Sequence, residues 1–151
     1  MVMTAVLKTQ KQALDELWSR GLSGTSLLKD HSLLADSFVR DCYLNIDLED
    51  LHSQVAVLAL GGYGRQELFP FSDIDLMILF RPGFREQVKE VADGLLYPLW
   101  DTGYEVGHGV RTIDESLVQA RGDFVFQVAM LDARLVVGSE LLFAELIDAY
   151  R

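Results

Sequence analysis

Cysteine and proline are scarce in this sequence. Its 151 residues include one cysteine, Cys42, and three prolines. A single cysteine excludes an internal disulfide, fits a reducing compartment and predicts a thiol packed as a small buried hydrophobic group. No segment approaches the ~20 consecutive apolar residues of a membrane span, and the first residues lack the apolar core of a signal peptide. We therefore expect a cytoplasmic protein without membrane contact.

Basic residues are also few. The sequence has 13 Lys and Arg against 23 Asp and Glu, which gives a formal net charge of −10. Nucleic-acid-binding domains usually present a basic face, so this balance argues against a nucleic-acid partner. The net charge does not exclude a phosphorylated small molecule as a ligand. A metal ion and a few local arginines can outweigh the negative electrostatic field of the whole chain at one site.

One stretch predicts a strand, a glycine turn and a second strand. Residues 55–60 form an unbroken apolar run with the length of a buried strand, and Ile74–Phe80 forms a second run that is apolar except for Asp75. Between them lie Gly61, Gly62 and Gly64, which allow positive φ and the close approach of a ligand. Such a turn offers backbone N–H groups to phosphate oxygens.

Two aspartates mark the start of the second strand. Because alternate residues of a strand point to one face, Asp73 and Asp75 share a face, with Cα atoms roughly 6–7 Å apart. Their like charges repel beside apolar residues unless a cation lies between them. Carboxylate oxygens suit Mg²⁺ or Mn²⁺. A metal-binding pair beside a phosphate-binding turn is the minimum that nucleotidyl transfer requires.

Other interpretations of these motifs exist. An Asp-x-Asp pair is common in turns and calcium loops, and a glycine cluster often forms a hairpin turn. Two phosphate-binding motifs are excluded, since Gly64 is followed by Arg65 and Gln66. The P-loop requires Gly-Lys-Ser/Thr there, and the dinucleotide fingerprint requires a third glycine.

The longer pattern resembles one protein family. Residues 61–76 read Gly-Gly-Tyr-Gly-Arg-x-Glu-Leu-x-Pro-x-Ser-Asp-Ile-Asp-Leu, which is similar to the signature of the uridylyltransferases that modify the nitrogen-regulatory protein PII. They belong to the DNA-polymerase-β-like nucleotidyltransferase superfamily. The resemblance continues through residues 99–112 and 131–138 and spans about residues 55 to 146.

The resemblance implies a fold and a reaction. The expected fold is α/β (α+β), a small mixed twisted sheet flanked by helices. An N-terminal helical segment, 1–50, would pack on a nucleotidyltransferase core, 51–151, as part of a longer family chain. The implied reaction is Mg²⁺- or Mn²⁺-dependent transfer of UMP from UTP to a tyrosine hydroxyl of PII, with release of pyrophosphate.

The same resemblance limits what the isolated chain should do. The family's later helical, His-Asp hydrolase and glutamine-sensing ACT regions do not fit within 151 residues. We therefore expect no hydrolase activity and leave open whether the transferase acts alone. The alternatives are a related nucleotidyltransferase, such as the adenylyltransferase of glutamine synthetase, or a non-catalytic fragment that binds a nucleotide or a partner.

The candidate metal ligands are Asp73 and Asp75. Superfamily members often add a carboxylate from the third strand, here residues 104–110. Glu105 is the acid on that strand, and it is either catalytic or a surface charge. Gly107 and Gly109 in the same strand predict a bulge or a close ligand.

The candidate nucleotide-binding residues are Gly61, Gly62, Arg65, Ser72 and Arg111. The two glycines would let the backbone approach the phosphates. Arg65 either neutralises the pyrophosphate or anchors a neighbouring carboxylate, and Ser72 shapes the turn or contacts a phosphate. Arg111 either contacts a phosphate or pairs with the acid on its own strand face.

The remaining elements follow from periodicity and capping signals. Helices are predicted at 4–20, from 25 or 26 to 44, at 84–100 with a kink or early end near Pro98, at 112–122 behind a Thr112–Glu115 capping box, at 123–132 and after Ser139. A short edge strand is predicted at 134–137. The N-terminal helices offer no candidate chemistry, and His31 is expected to be solvated or packed.

Overall fold

The chain folds into a four-stranded sheet with helices on both faces. The computed structural model describes residues 12–21, 24–69 and 72–150. The strands are β1 Val55–Ala59, β2 Ile74–Phe80, β3 Val106–Arg111 and β4 Arg134–Gly138. The described helices are α1 at 12–19, α2 Thr25–Leu44, α3 Leu51–Gln54, α4 Gly61–Gly64, α5 Val88–Asp101, α6 Ile113–Gly122, α7 Phe124–Met130 and α8 Glu140–Tyr150.

The sheet is mixed, with the order β3-β2-β1-β4. Strand β1 is antiparallel to both of its neighbours, and β2 is parallel to β3. A parallel pair requires a crossover, which the 3₁₀ turn Pro82–Phe84 and helix α5 provide. The predicted α/β class, with a small mixed sheet flanked by helices, is confirmed.

Both faces of the central strands are covered, which explains their unbroken apolar runs. One face packs against α2 and α5 through residues such as Val57 and Ile78. The other packs against α6, α7 and α8 through residues such as Leu58 and Met77. All four of these side chains are completely buried.

Helix α2 covers one face of the sheet. It spans the predicted residues, and Phe38, Val39 and Cys42 lie in the core. Burial, with a smaller contribution from Asp41, raises the pKa of the Cys42 thiol to about 11, so the thiol is neutral at pH 7. Of the helix predicted at 4–20, residues 12–19 are helical, and residues 4–11 lie outside the described part of the chain.

Most of the predicted helix ends are correct. The Thr112–Glu115 capping box is present, and Ser139 accepts a hydrogen bond from the N–H of Leu142 at 3.0 Å. An early end of α5 near Pro98, one of the two alternatives predicted there, was wrong. The helix continues to Asp101, and leucines are buried on both sides of the proline. Within the described residues, no helix combines the length and apolarity needed to cross a membrane.

Gly138, at the end of β4, tests how tightly this edge is packed. Its φ is +110°, and an added Cβ would lie well under 3.0 Å from the carbonyl oxygen of Val55. We expect Gly138→Ala to lower the free energy of unfolding by about 1–3 kcal/mol, measured by urea denaturation. Gly122→Ala is the control, because no heavy atom lies within 4 Å of its added Cβ. Equal urea midpoints for both variants would contradict this account.

Candidate active site

The glycine turn, the two aspartates and Glu105 meet at one end of the sheet. Strand β1 ends there, and the parallel strands β2 and β3 begin there. The N–H of Leu60 donates to the carbonyl of Asp75 at 3.0 Å, and the N–H of Ile74 donates to the carbonyl of Glu105 at 2.9 Å. These bonds place the glycine turn, the two aspartates and Glu105 next to one another.

Asp75 lies over a glycine of the neighbouring strand. It pairs in register with Gly107, and a Cβ added to Gly107 would lie well under 3.0 Å from Asp75 Oδ1. The Asp75 side chain is half-buried, whereas Asp73 is exposed. Burial, followed by the nearby charge of Asp73, raises the pKa of Asp75. The carboxylate pair is therefore electrostatically unfavourable without a cation.

The second glycine of β3 gives room to Arg111. A Cβ on Gly109 would clash with the Arg111 guanidinium, which lies 4.8 Å from the centre of the Phe126 ring. Arg111 and Asp75 line the same open cleft of about 270 Å³. The bulge predicted in β3 was wrong, because its register with β2 is unbroken. The two glycines accommodate charged side chains of this chain.

Of the two roles predicted for Arg111, one has no support in the structure. No ion pair joins Arg111 to Glu105 in the part of the chain that is described. The Arg111 guanidinium lies at the wall of the cleft instead, close enough to Asp123 to contribute to lowering the pKa of that carboxyl, after the larger effect of the Phe126 N–H. A phosphate contact by Arg111 stays a prediction.

The glycine turn is helical. Gly61–Gly64 forms one turn, and Gly61 alone of its glycines has a positive φ, +57°. Gly62 and Gly64 continue the helical turn and do not use the positive φ that glycine allows. A Cβ on Gly61 would lie 3.4 Å from Asp75 Oδ2. The first N–H groups of a helical turn have no partner within it, which leaves those of Gly61 and Gly62 available to a ligand.

Arg65 is engaged by two carboxylates. Its Nη1 donates to Asp132 Oδ2 at 2.6 Å, and its Nε lies 3.5 Å from Glu67 Oε2. The anchoring role predicted for Arg65 is thus observed, and its phosphate role stays a prediction. Ser72 closes a turn by donating its N–H to the carbonyl of Phe69 at 3.0 Å.

Helix α2 positions two segments of the site, which the sequence did not predict. His31 is buried, and its Nδ1 donates to the carbonyl of Leu68 at 2.9 Å. The N–H of Leu68 donates to Ser32 at 3.2 Å. His31 Nε2 hydrogen-bonds the hydroxyl of Tyr104, the residue before Glu105, at 2.6 Å. The partners of His31 lie 37 and 73 residues away along the chain, so no local signal marked it.

The carboxylates do not form a complete metal cage. Within the described ranges, no group of three or more His, Cys, Asp or Glu side chains is arranged to hold a metal. Glu105 is exposed beside Asp73, and it does not form a three-carboxylate metal site with Asp73 and Asp75. Two carboxylates at an open cleft suit Mg²⁺, which is commonly held by one or two carboxylates together with substrate phosphates. The catalytic role of Glu105 stays a prediction.

The repulsion between the aspartates predicts a stabilising substitution. Because the folded-state pKa of Asp75 is raised, the folded protein binds more protons than the unfolded chain, and stability falls as pH rises through that range. In EDTA at pH 7, Asp75→Asn should therefore raise the urea midpoint. The gain should disappear below the ordinary aspartate pKa, where the wild-type carboxyl is also neutral. Asp148→Asn, an exposed change remote from the site, is the control. A lower midpoint for Asp75→Asn at pH 7 would contradict the repulsion.

Comparison with known proteins gives concordant results. The nucleotidyltransferase domain family matches residues 42–126, more than half of the chain, including the glycine turn, both aspartates and β3. A bifunctional uridylyltransferase/uridylyl-removing enzyme of Pseudomonas putida (strain W619) is 37% identical over 137 residues, which cover 91% of this chain and 15% of the relative.

Two further bifunctional uridylyltransferase/uridylyl-removing enzymes are similar. The protein of Nitrosococcus oceani is 39% identical over 140 residues, covering 90% of this chain and 16% of its own length. The protein of Nitrosospira multiformis is 35% identical over 145 residues, which cover 91% of this chain and 16% of the relative. The chain thus spans only 15–16% of the length of these three relatives. From the matched region and the site that it contains, we conclude that this chain belongs to the nucleotidyltransferase domain family.

Proposed function

We propose that this domain transfers UMP from UTP to a tyrosine hydroxyl of a PII regulatory protein, with Mg²⁺ as the metal and pyrophosphate as the second product. The observation that carries the proposal is the Asp73–Asp75 pair beside the glycine turn, at the open end of the sheet. UTP as the donor is supported by the uridylyltransferase relatives. PII as the acceptor depends on the family resemblance of residues 61–76.

The roles of the residues follow from their positions. Asp73 and Asp75 would hold the metal together with the triphosphate, and the cation would offset the burial and the Asp73 charge that raise the pKa of Asp75. The N–H groups of Gly61 and Gly62 would donate hydrogen bonds to phosphate oxygens, and Arg111 would neutralise charge from the wall of the cleft. Bound there, Mg²⁺ would stabilise the charge of the phosphoryl group and lower the pKa of the attacking hydroxyl.

The reaction is an in-line displacement at the α-phosphorus. The tyrosine oxygen forms a bond to that phosphorus while the bond to the bridging oxygen of the β-phosphate breaks. Pyrophosphate leaves with the bonding electrons, and the hydroxyl proton passes to solvent. In this scheme Asp73, Asp75 and Arg111 act by positioning and by charge, which are the main contributions of proteins to phosphoryl transfer.

The size of the cleft bears on whether the chain acts alone. Its volume of about 270 Å³ lies below the about 300–1,000 Å³ of most small-molecule pockets. A nucleoside triphosphate bound at Asp75 would therefore extend beyond the cleft, and its base and the protein acceptor would be contacted elsewhere. This favours the alternative that the chain binds the metal-nucleotide but requires the rest of a longer protein for transfer.

Isothermal titration of UTP and of ATP, with Mg²⁺ and with EDTA, tests the proposal. We expect Mg²⁺-dependent binding that is tighter for UTP. Asp73→Asn and Asp75→Asn should each weaken UTP binding in Mg²⁺. The loss should exceed the factor of about 10–100 that is typical when a residue supporting a metal ligand is removed, because these aspartates would contact the metal directly. Because Asp75→Asn should be the more stable protein, weaker binding could not be attributed to unfolding.

Asp148→Asn, which removes an exposed carboxylate on α8, is the matched control and should bind UTP as the wild type does. Equal binding in Mg²⁺ and EDTA, or unchanged binding by both aspartate variants, would refute the site assignment. Tighter binding of ATP would favour the adenylyltransferase alternative.

A further inference from the structure

Arg134 joins the glycine turn to helix α2. It is the first residue of β4, and its Nε donates to the carbonyl of Gly64 at 3.2 Å. Its Nη2 donates to the carbonyl of Tyr63 at 3.0 Å. The two Nη atoms also donate to the carboxylate of Asp36, at 2.6 and 3.2 Å. All three guanidinium nitrogens are therefore occupied, two of them by the turn.

The glycine turn cannot hold its conformation alone. An isolated helical turn of four residues is unstable in water, and the carbonyls at its end lack partners within it. Arg134 donates hydrogen bonds to the backbone carbonyls of Tyr63 and Gly64. The ring of Tyr63 lies under the same guanidinium, 5.3 Å from its carbon atom. The conformation of the turn is thus set by contacts from a residue far along the chain.

The back of the turn has no spare room. A Cβ on Gly64 would lie well under 3.0 Å from the carbonyl oxygen of Asp132 and 2.9 Å from that of Ala59. The side chain of Asp132 holds Arg65, which directly follows the turn, at 2.6 Å. Residues 132–134 therefore contact the turn through backbone, carboxylate and guanidinium.

Asp36 fixes the orientation of the guanidinium. Its side chain is 1% exposed, and that of Arg134 is 22% exposed. A buried ion pair is weak evidence for stability, because desolvation offsets much of the attraction, but it can select one geometry among several. A pair that served only to join β4 to α2 would not require the two further bonds to the turn.

We propose that Arg134, oriented by Asp36, is the positioning residue of the glycine turn. It holds Gly61–Gly64 helical, so that the N–H groups of Gly61 and Gly62 stay together beside Asp75. This inference rests on the proposed function for its catalytic meaning. Its structural content, that Arg134 sets the conformation of the turn, is testable without any nucleotide.

The test uses Arg134→Lys, which keeps the charge and loses the planar fork. The readout is amide hydrogen exchange at residues 64–67, whose N–H groups donate to the carbonyls of residues 60–63. We expect exchange there to accelerate at least about tenfold, while the amides of β2 keep their rates. Asp36→Asn, which removes the charge and retains an oxygen acceptor, should act in the same direction and serves if Arg134→Lys does not fold.

Arg81 offers a matched control at the opposite end of β2. It donates to both carboxylate oxygens of Glu145, at 2.9 and 3.2 Å, and to the carbonyl of Ser53 at 3.2 Å. Arg81→Lys removes the same kind of planar fork from a more exposed ion pair and should leave exchange at residues 64–67 unchanged. Equal acceleration at those amides in both lysine variants, or none in the Arg134 and Asp36 variants, would overturn the inference.

Titration of Mg²⁺ and UTP adds the functional readout. We expect the dissociation constant to rise by about 10–100-fold in Arg134→Lys, as for other outer-shell positions, and to stay unchanged in Arg81→Lys. Unchanged affinity in Arg134→Lys despite faster exchange would refute a positioning role in binding. Absence of UTP binding by the wild type would refute the proposed function, and hydrogen exchange would still decide whether Arg134 sets the turn.

Discussion

The arrangement of the site depends on one steric constraint, the absence of a side chain at residue 107. The carboxylate of Asp75 occupies the space that a Cβ of Gly107 would fill, because parallel pairing sets these residues side by side on one face. The same relation recurs two residues later, where Gly109 leaves room for the guanidinium of Arg111. An anionic and a cationic group thereby share one cleft on a surface that would otherwise be covered by side chains of β3.

The elements that the sequence predicted well are those whose signal is local. The apolar runs of β1 and β2 lie within a few residues, and the capping box of Thr112 and Glu115 is a pattern of four. The pairing of Asp73 with Asp75 follows from strand alternation alone. Composition and periodicity were sufficient for these features because the physical cause acts over one turn or one strand.

The features that the sequence did not predict have distant causes. The last carbonyls of the helical glycine turn accept hydrogen bonds from Arg134, and that arginine also donates to Asp36, 98 residues earlier in the chain. His31 connects the loop at Leu68 with Tyr104 in the same way. Neither contact leaves a trace in spacing, because the partners lie far apart along the chain and each is an ordinary residue of its own segment. Helix α2, which carried no chemical signal, therefore governs the geometry of the site.

The strand order has a consequence for how the chain folds as it is synthesised. Strand β1 lies in the middle of the sheet, yet one of its neighbours, β4, begins 75 residues after β1 ends. Until residues 134–138 leave the ribosome, β1 and β2 can pair, but one edge of β1 keeps its backbone N–H and C=O groups unpaired. Arg134 arrives with that last strand, so the glycine turn acquires its partner only when the sheet is closed. The nascent domain thus passes through an interval in which one edge of its central strand β1 is unpaired and its glycine turn lacks Arg134, and chaperones act on such intermediates.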